Sequence, residues 1–287
     1  MDGDRIHRVV SDDGTEIAAR VHGQGPPLLL LPAGPGDGET CWGHLVPYLS
    51  DRFTCYPMDE RGRGRSGPST DFSPTRLVED VVAFARSLGD AVGMVGWGTS
   101  HWALVAADHP AVVRALVAYE PGADEVLSEA DAARLEHLFS RVGERVAQGR
   151  LDEAAQTFIA GSEVIYSAVD LADGAPAAFW TASAGNLPSF LEEEQQAAES
   201  EAPGPTDPSV LERITAPLLL LQGTRTRPWF GDSVHHVAEH VADARVREVP
   251  GAGHFGPHTE PEAVAGEIIR FLDAVEPDAA VPGRTTV

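Results

Sequence analysis

Two runs of four consecutive leucines, at 28–31 and 218–221, constrain this chain more than any other feature. A strand that is apolar at every position must be covered on both faces, which is the situation of a parallel sheet between two helical layers. The surrounding pattern agrees. Short apolar segments at 53–58, 92–95, 113–119 and 245–249 alternate with helical patterns at 40–49, 74–88, 100–108, 232–241 and 260–274. Segments 6–10 and 16–21 read as an opening hairpin turned at Asp12, Asp13 and Gly14. Ser73 before Pro74 marks a helix start. The predicted fold class is therefore α/β, a mostly parallel sheet flanked by helices.

Between 121 and 215 the alternation stops. Helical periodicity continues at 125–148, 151–165, 179–184 and 191–198, with no strand pattern, and Pro203, Pro205 and Pro208 then break the chain. We expect a core from 1–120 and 216–276, a helical insertion over 121–215, and a polar, disordered tail at 277–287. A length of 287 residues suits one large domain carrying such an insertion.

The side-chain inventory excludes whole classes of chemistry. There are 44 acidic and 21 basic residues, a net charge of −23, and every basic residue is arginine. Without lysine there is no Schiff base, no pyridoxal-phosphate anchor and no P-loop lysine. The acidity disfavours nucleic acid and anionic membranes as partners. Cys41 and Cys55 form neither a disulfide framework nor a zinc site, and His235 and His236 lack metal-ligand spacing. We expect no metal and no cofactor. The polar N-terminus has no signal-like apolar run and no segment is long enough to span a bilayer, so a cytoplasmic protein is expected. More than half of the acidic excess falls in 121–215, where Glu192, Glu193 and Glu194 are expected to face solvent.

Four local motifs follow the predicted strand ends. After the first leucine run comes Pro32-Ala33-Gly34-Pro35-Gly36-Asp37. Next comes Asp59-Glu60-Arg61-Gly62-Arg63-Gly64-Arg65-Ser66. A strand then leads into Gly96-Trp97-Gly98-Thr99-Ser100, and Gly251-Ala252-Gly253-His254-Phe255 follows the last strand. In this order the motifs resemble the α/β-hydrolase fold with a helical cap. The first is similar to the loop that supplies an oxyanion-hole amide, the third to the nucleophile elbow Gly-x-Ser-x-Gly, and the fourth to the loop carrying the catalytic histidine.

The resemblance fails at the nucleophile. The elbow position holds Gly98, which has no side chain, so no acyl-enzyme forms there. Ser100 is two residues on, where a small packing or helix-capping residue is expected. The customary acid slot after the seventh strand holds Thr226, while Glu120 at the end of the 113–119 strand is the best remaining carboxylate. The resemblance then implies His254 as acid–base, oriented by Glu120, with amides of Thr99 and of Gly34 or Ala33 as the oxyanion hole. Trp97, Trp42, His101, Trp229 and Trp180 are the candidate pocket residues, joined by Phe179 and Phe190. They imply a small-molecule substrate that is apolar or ring-containing. The expected function is non-covalent acid–base chemistry on a carbonyl compound: elimination, cyclisation or attack by water, in keeping with a specialised metabolic role. Two other readings stay open. One is a catalytically dead small-molecule binding protein; the other is a serine hydrolase in which Gly98 replaces the nucleophile by an introduced substitution.

Overall fold

The computed structural model describes residues 5–98 and 101–275. Eight strands form one sheet: β1 (Ile6–Val10), β2 (Glu16–Arg20), β3 (Pro27–Leu31), β4 (Thr54–Asp59), β5 (Val92–Trp97), β6 (Val113–Tyr119), β7 (Leu218–Gly223) and β8 (Ala244–Val249). Their order is β1-β2-β4-β3-β5-β6-β7-β8. The first two joins are antiparallel and all others are parallel.

The leucine runs lie where a doubly covered strand must lie. Leu28, Leu29 and Leu30 on β3 are fully buried, as are Leu218, Leu220 and Leu221 on β7. Successive side chains alternate between faces. Leu28, Leu30, Leu219 and Leu221 pack with Trp42, Trp97 and Phe255. Leu29, Leu31, Leu218 and Leu220 pack with Phe84, Trp102 and Val234 on the opposite face.

The helices are α1 (Gly38–Trp42), α2 (Val46–Leu49), α3 (Pro74–Ser87), α4 (His101–Asp108), α5 (Glu129–Ala147), α6 (Leu151–Gly161), α7 (Ala168–Asp173), α8 (Ala175–Ala182), α9 (Leu187–Glu199), α10 (Pro208–Leu211), α11 (Pro228–His240), α12 (Gly256–Thr259) and α13 (Pro261–Val275). The single helix expected at 40–49 is two short ones, α2 beginning anew with Pro47 in its first turn. Helix α7 has no counterpart in the sequence reading. Its signal was present: Ser167 and Asp170 close a capping box, and Gly174 ends the helix in the left-handed region. Ser73 precedes α3 but its hydroxyl makes no capping bond, so Pro74 sets that start. No described helix is long and apolar enough to cross a membrane.

Two features of this architecture make a site. Strands β5, β6, β7 and β8 are consecutive neighbours, so the segments leaving their C-terminal ends converge at one edge. Helices α5, α6, α8 and α9 contribute Phe139, Phe158, Phe179, Trp180 and Phe190 to a cavity that also touches Ala33, Gly98 and His254.

Candidate active site

The turn after β5 is built for a residue in an unusual conformation. Gly98 has φ +70°, in the left-handed region. Its N–H donates to the Tyr119 carbonyl at 3.0 Å, and its own carbonyl accepts from Gly122 N–H at 2.9 Å. A Cβ placed on Gly98 would lie 3.5 Å from Nε2 of His254 and 3.8 Å from the Ala33 methyl, which are ordinary contacts. Space for a side chain therefore exists there. Thr99 and Ser100 lie outside the described residues.

Glu120, the next residue after β6, is the one described non-glycine residue with positive φ, at +44°. Such a backbone persists only where its surroundings fix it. Here its N–H donates to the Leu221 carbonyl at 3.0 Å. Its fully buried carboxylate accepts from Gly223 N–H, from the Thr226 hydroxyl (both 2.8 Å) and from Nδ1 of His254 at 2.9 Å. Thr226, read from sequence only as the residue that fills the acid slot, thus donates to the carboxylate that reaches this place from the neighbouring strand. Because Nδ1 donates to Glu120, the lone pair of Nε2 is left facing Gly98.

The loop carrying His254 is held on three sides. Tyr119 Oη donates to the Gly253 carbonyl at 2.6 Å and Trp97 Nε1 to the His254 carbonyl at 2.9 Å. Asp170, on α7, accepts from Phe255 N–H at 2.9 Å. The imidazole stacks on Phe230, with centroids 3.9 Å apart and planes 7° apart. Phe230 escaped the sequence reading because the predicted helix began at 232, whereas Pro228 starts α11 and turns Phe230 inward.

The cavity above Gly98 and His254 measures about 250 Å³. Trp97, Trp180, Trp229, Phe179 and Phe190 line it, as do Ala33 and Gly34. Two expected pocket residues do not. Trp42 is fully buried in the core, its Nε1 donating to the Leu31 carbonyl and its ring packed edge-on against Trp97, which stands between it and the cavity lining. His101 faces away into a neighbouring cavity, with Nε2 3.8 Å from Glu193. Ala33 is also displaced from its expected role: its N–H donates to Cys41 Sγ at 3.2 Å. The Gly34 amide donates to none of the described residues, and the Gly34 carbonyl is held at 2.8 Å by Arg63 Nη1.

The acidic run of α9 corrects another expectation. Glu192 and Glu194 are exposed as expected, Glu194 also lining the aromatic cavity, but Glu193 is buried in an ion pair with Arg63. Arg63 also pairs with buried Glu60. Glu60, His101 and Glu193 lie close enough to suggest a metal cluster, yet the Arg63 guanidinium already bonds both carboxylates, so a cation is in place. Burial, and then the neighbouring Glu193, push Glu60 up to about 8.

That has a consequence for stability. A glutamate whose folded pKa is raised favours the fold below its unfolded value of about 4.5, and that contribution is lost as pH climbs through the folded value. His258, lowered to about 4 mainly by burial, acts oppositely and only below about 6.5. Between about pH 6.5 and 8 Glu60 sets the slope, so the melting temperature is expected to fall across that interval. Glu60→Gln should flatten the fall; an unchanged slope in a thermal melt series would contradict this assignment.

Comparison with known proteins agrees with the geometry. Residues 28–267 match the model of the alpha/beta hydrolase family. A 2-(acetamidomethylene)succinate hydrolase from Mesorhizobium japonicum is 26% identical over 277 residues, covering 94% of this chain and 96% of that protein. The esterase RhEst1 from Rhodococcus sp. ECU1013 superposes with a TM-score of 0.76 at 20% identity, covering 94% of this chain and 99% of its own. An enol-lactonase from Burkholderia xenovorans LB400 gives 0.72 at 18% identity, with 93% and 99% covered. With a parallel sheet whose strand ends bring Gly98, Glu120 and His254 together, and a family match over most of its length, this chain belongs to the alpha/beta hydrolase family.

Proposed function

We propose that this protein is a small-molecule enzyme that works without a covalent intermediate, using His254 as acid–base and Glu120 as its orienting carboxylate. The observation that carries this reading is the His254 Nδ1 to Glu120 contact of 2.9 Å, with Nε2 directed at the space over a side-chain-free Gly98. Residues 121–215 act as the lid of the site. Nε2 takes a proton from a water molecule, which then attacks the substrate carbonyl, or from a carbon next to that carbonyl. The negative charge that develops on the carbonyl oxygen is received by the Gly34 amide, with the Thr99 amide as its expected partner. The protonated imidazole returns its proton to the leaving group, so no residue ends the cycle changed.

The substrate is an apolar, ring-containing carbonyl compound, as the aromatic lining favours. The names of the relatives, a hydrolase and an enol-lactonase, support carbonyl chemistry. They do not support a shared substrate with the succinate hydrolase, because neither arginine nor lysine lines the described cavity and two carboxylates do.

The test pairs turnover with labelling. Aryl esters, lactones and β-diketones are screened with wild-type protein and a fluorophosphonate probe is applied in parallel. Turnover without label is expected of the wild type. Gly98→Ser should become labelled, since its Cβ sits in ordinary contact with His254, and it should lose the native reaction as the hydroxyl fills the place of water or substrate. Labelling of a wild-type cavity residue, or absence of any turnover across the panel, would overturn the reading.

A further inference from the structure

Tyr166, between α6 and α7, lines the aromatic cavity with a hydroxyl that is only half used. The residue is 6% exposed, and its oxygen accepts from Nε1 of Trp180 at 2.7 Å. An indole N–H can only donate, so this bond leaves the phenol hydrogen unspent. No described residue accepts it. Buried donors are as a rule paired, and one without an acceptor carries a desolvation cost until something supplies the missing oxygen. Because Tyr166 borders the cavity, a molecule bound there can supply it.

The hydroxyl is also held in place. Trp180 stacks on Phe158, with centroids 3.5 Å apart and planes 17° apart, which fixes its N–H. The Tyr166 ring meets Phe255 edge to face at 5.1 Å and lies within 25° of parallel to the His254 ring, at 6.1 Å. Its N–H donates to the Ser162 carbonyl at 2.8 Å. Burial pushes the phenol above its ordinary range, so near neutral pH it is a donor and not an anion. A donor fixed before the ligand arrives loses little freedom on binding.

We propose that Tyr166 is a specificity residue whose O–H donates to a second, uncharged oxygen of the substrate, beside the carbonyl that reacts. The inference rests on the cavity being the substrate site. The Gly34 amide, which receives the oxygen of the reacting carbonyl, comes from the loop after β3, whereas Tyr166 enters from the helical insertion. A molecule between them offers one oxygen to each. This narrows the substrate to apolar compounds with two acceptor oxygens a few bonds apart, as in a β-diketone, a lactone or an ester.

The probes are benzoylacetone and butyrophenone, which share ring and chain and differ by the second carbonyl. Binding is followed by calorimetry in the His254→Ala protein, where neither ligand needs to react, so a failure of the catalytic reading leaves the comparison standing. Benzoylacetone is expected to bind roughly three- to tenfold more tightly, the worth of one hydrogen bond. Adding Tyr166→Phe should abolish this preference by weakening benzoylacetone alone, and unchanged binding of butyrophenone shows the cavity intact. Benzoylacetone that binds no tighter than butyrophenone, or a preference that survives Tyr166→Phe, overturns the proposal.

Discussion

Replacing His254 by alanine is expected to lower turnover by roughly 10²–10⁴-fold, the range supplied by one positioned acid–base group. The fold should tolerate the change. Glu120 keeps two of its three donors, Gly223 N–H and the Thr226 hydroxyl, so no buried carboxylate is stranded. The Trp97 bond to residue 254 is to the backbone carbonyl and survives truncation. What is lost is the imidazole face on Phe230, a packing loss of about 1–3 kcal/mol. Glu120→Gln should lose nearly as much activity for a different reason. An amide NH₂ at the Oε2 position would confront two donors, the Thr226 hydroxyl and Nδ1–H, and the imidazole would turn to the wrong tautomer. Turnover and a thermal melt on each variant separate chemistry from stability. Activity within a few-fold of wild type for His254→Ala would remove the imidazole from the mechanism.

The second large effect concerns Arg63. Its side chain is buried and spans the molecule: it pairs with Glu60 in its own turn, holds the Gly34 carbonyl of the loop after β3, and pairs with Glu193 on α9, with Ser189 at 3.3 Å. Arg63→Met keeps much of the volume and removes the charge. Breaking a buried ion pair from one side costs about 3–5 kcal/mol, because the remaining charge has lost its compensation. Here the buried Glu193 carboxylate is left without its cation, so a drop of roughly 10 °C in melting temperature is expected near neutral pH. Activity should fall beyond what instability explains, since the Gly34 loop and α9 lose their common anchor. A variant as stable as wild type at pH 7, measured by calorimetry, would show that the network carries no such weight.

The sheet was legible because its evidence is local. Four consecutive leucines need cover on both sides wherever they are placed, and the glycine-rich turns at 32–36, 96–98 and 251–253 read directly as strand-end loops. Glu120 could also be found, by asking which strand end still had a carboxylate once Thr226 filled the usual slot. Failures came where direction mattered. Trp42 and Trp97 both sit near strand ends and pack edge to face, yet only Trp97 reaches the cavity and Trp42 stays in the core beside it. In the Glu192, Glu193 and Glu194 run, three identical side chains lie about 100° apart around a helix, so Glu192 and Glu194 stay exposed while Glu193 between them meets Arg63.

The sequence by itself therefore determined the layers, the strand-end loops and the absence of a side chain at residue 98. These follow from apolar runs and residue identity, which need no knowledge of neighbours. The tertiary structure alone decided that Thr226 serves Glu120 and that Phe230 holds the His254 ring. Each joins residues distant in the chain, and which ones meet depends on the side from which a helix presents them, set by packing of the whole fold.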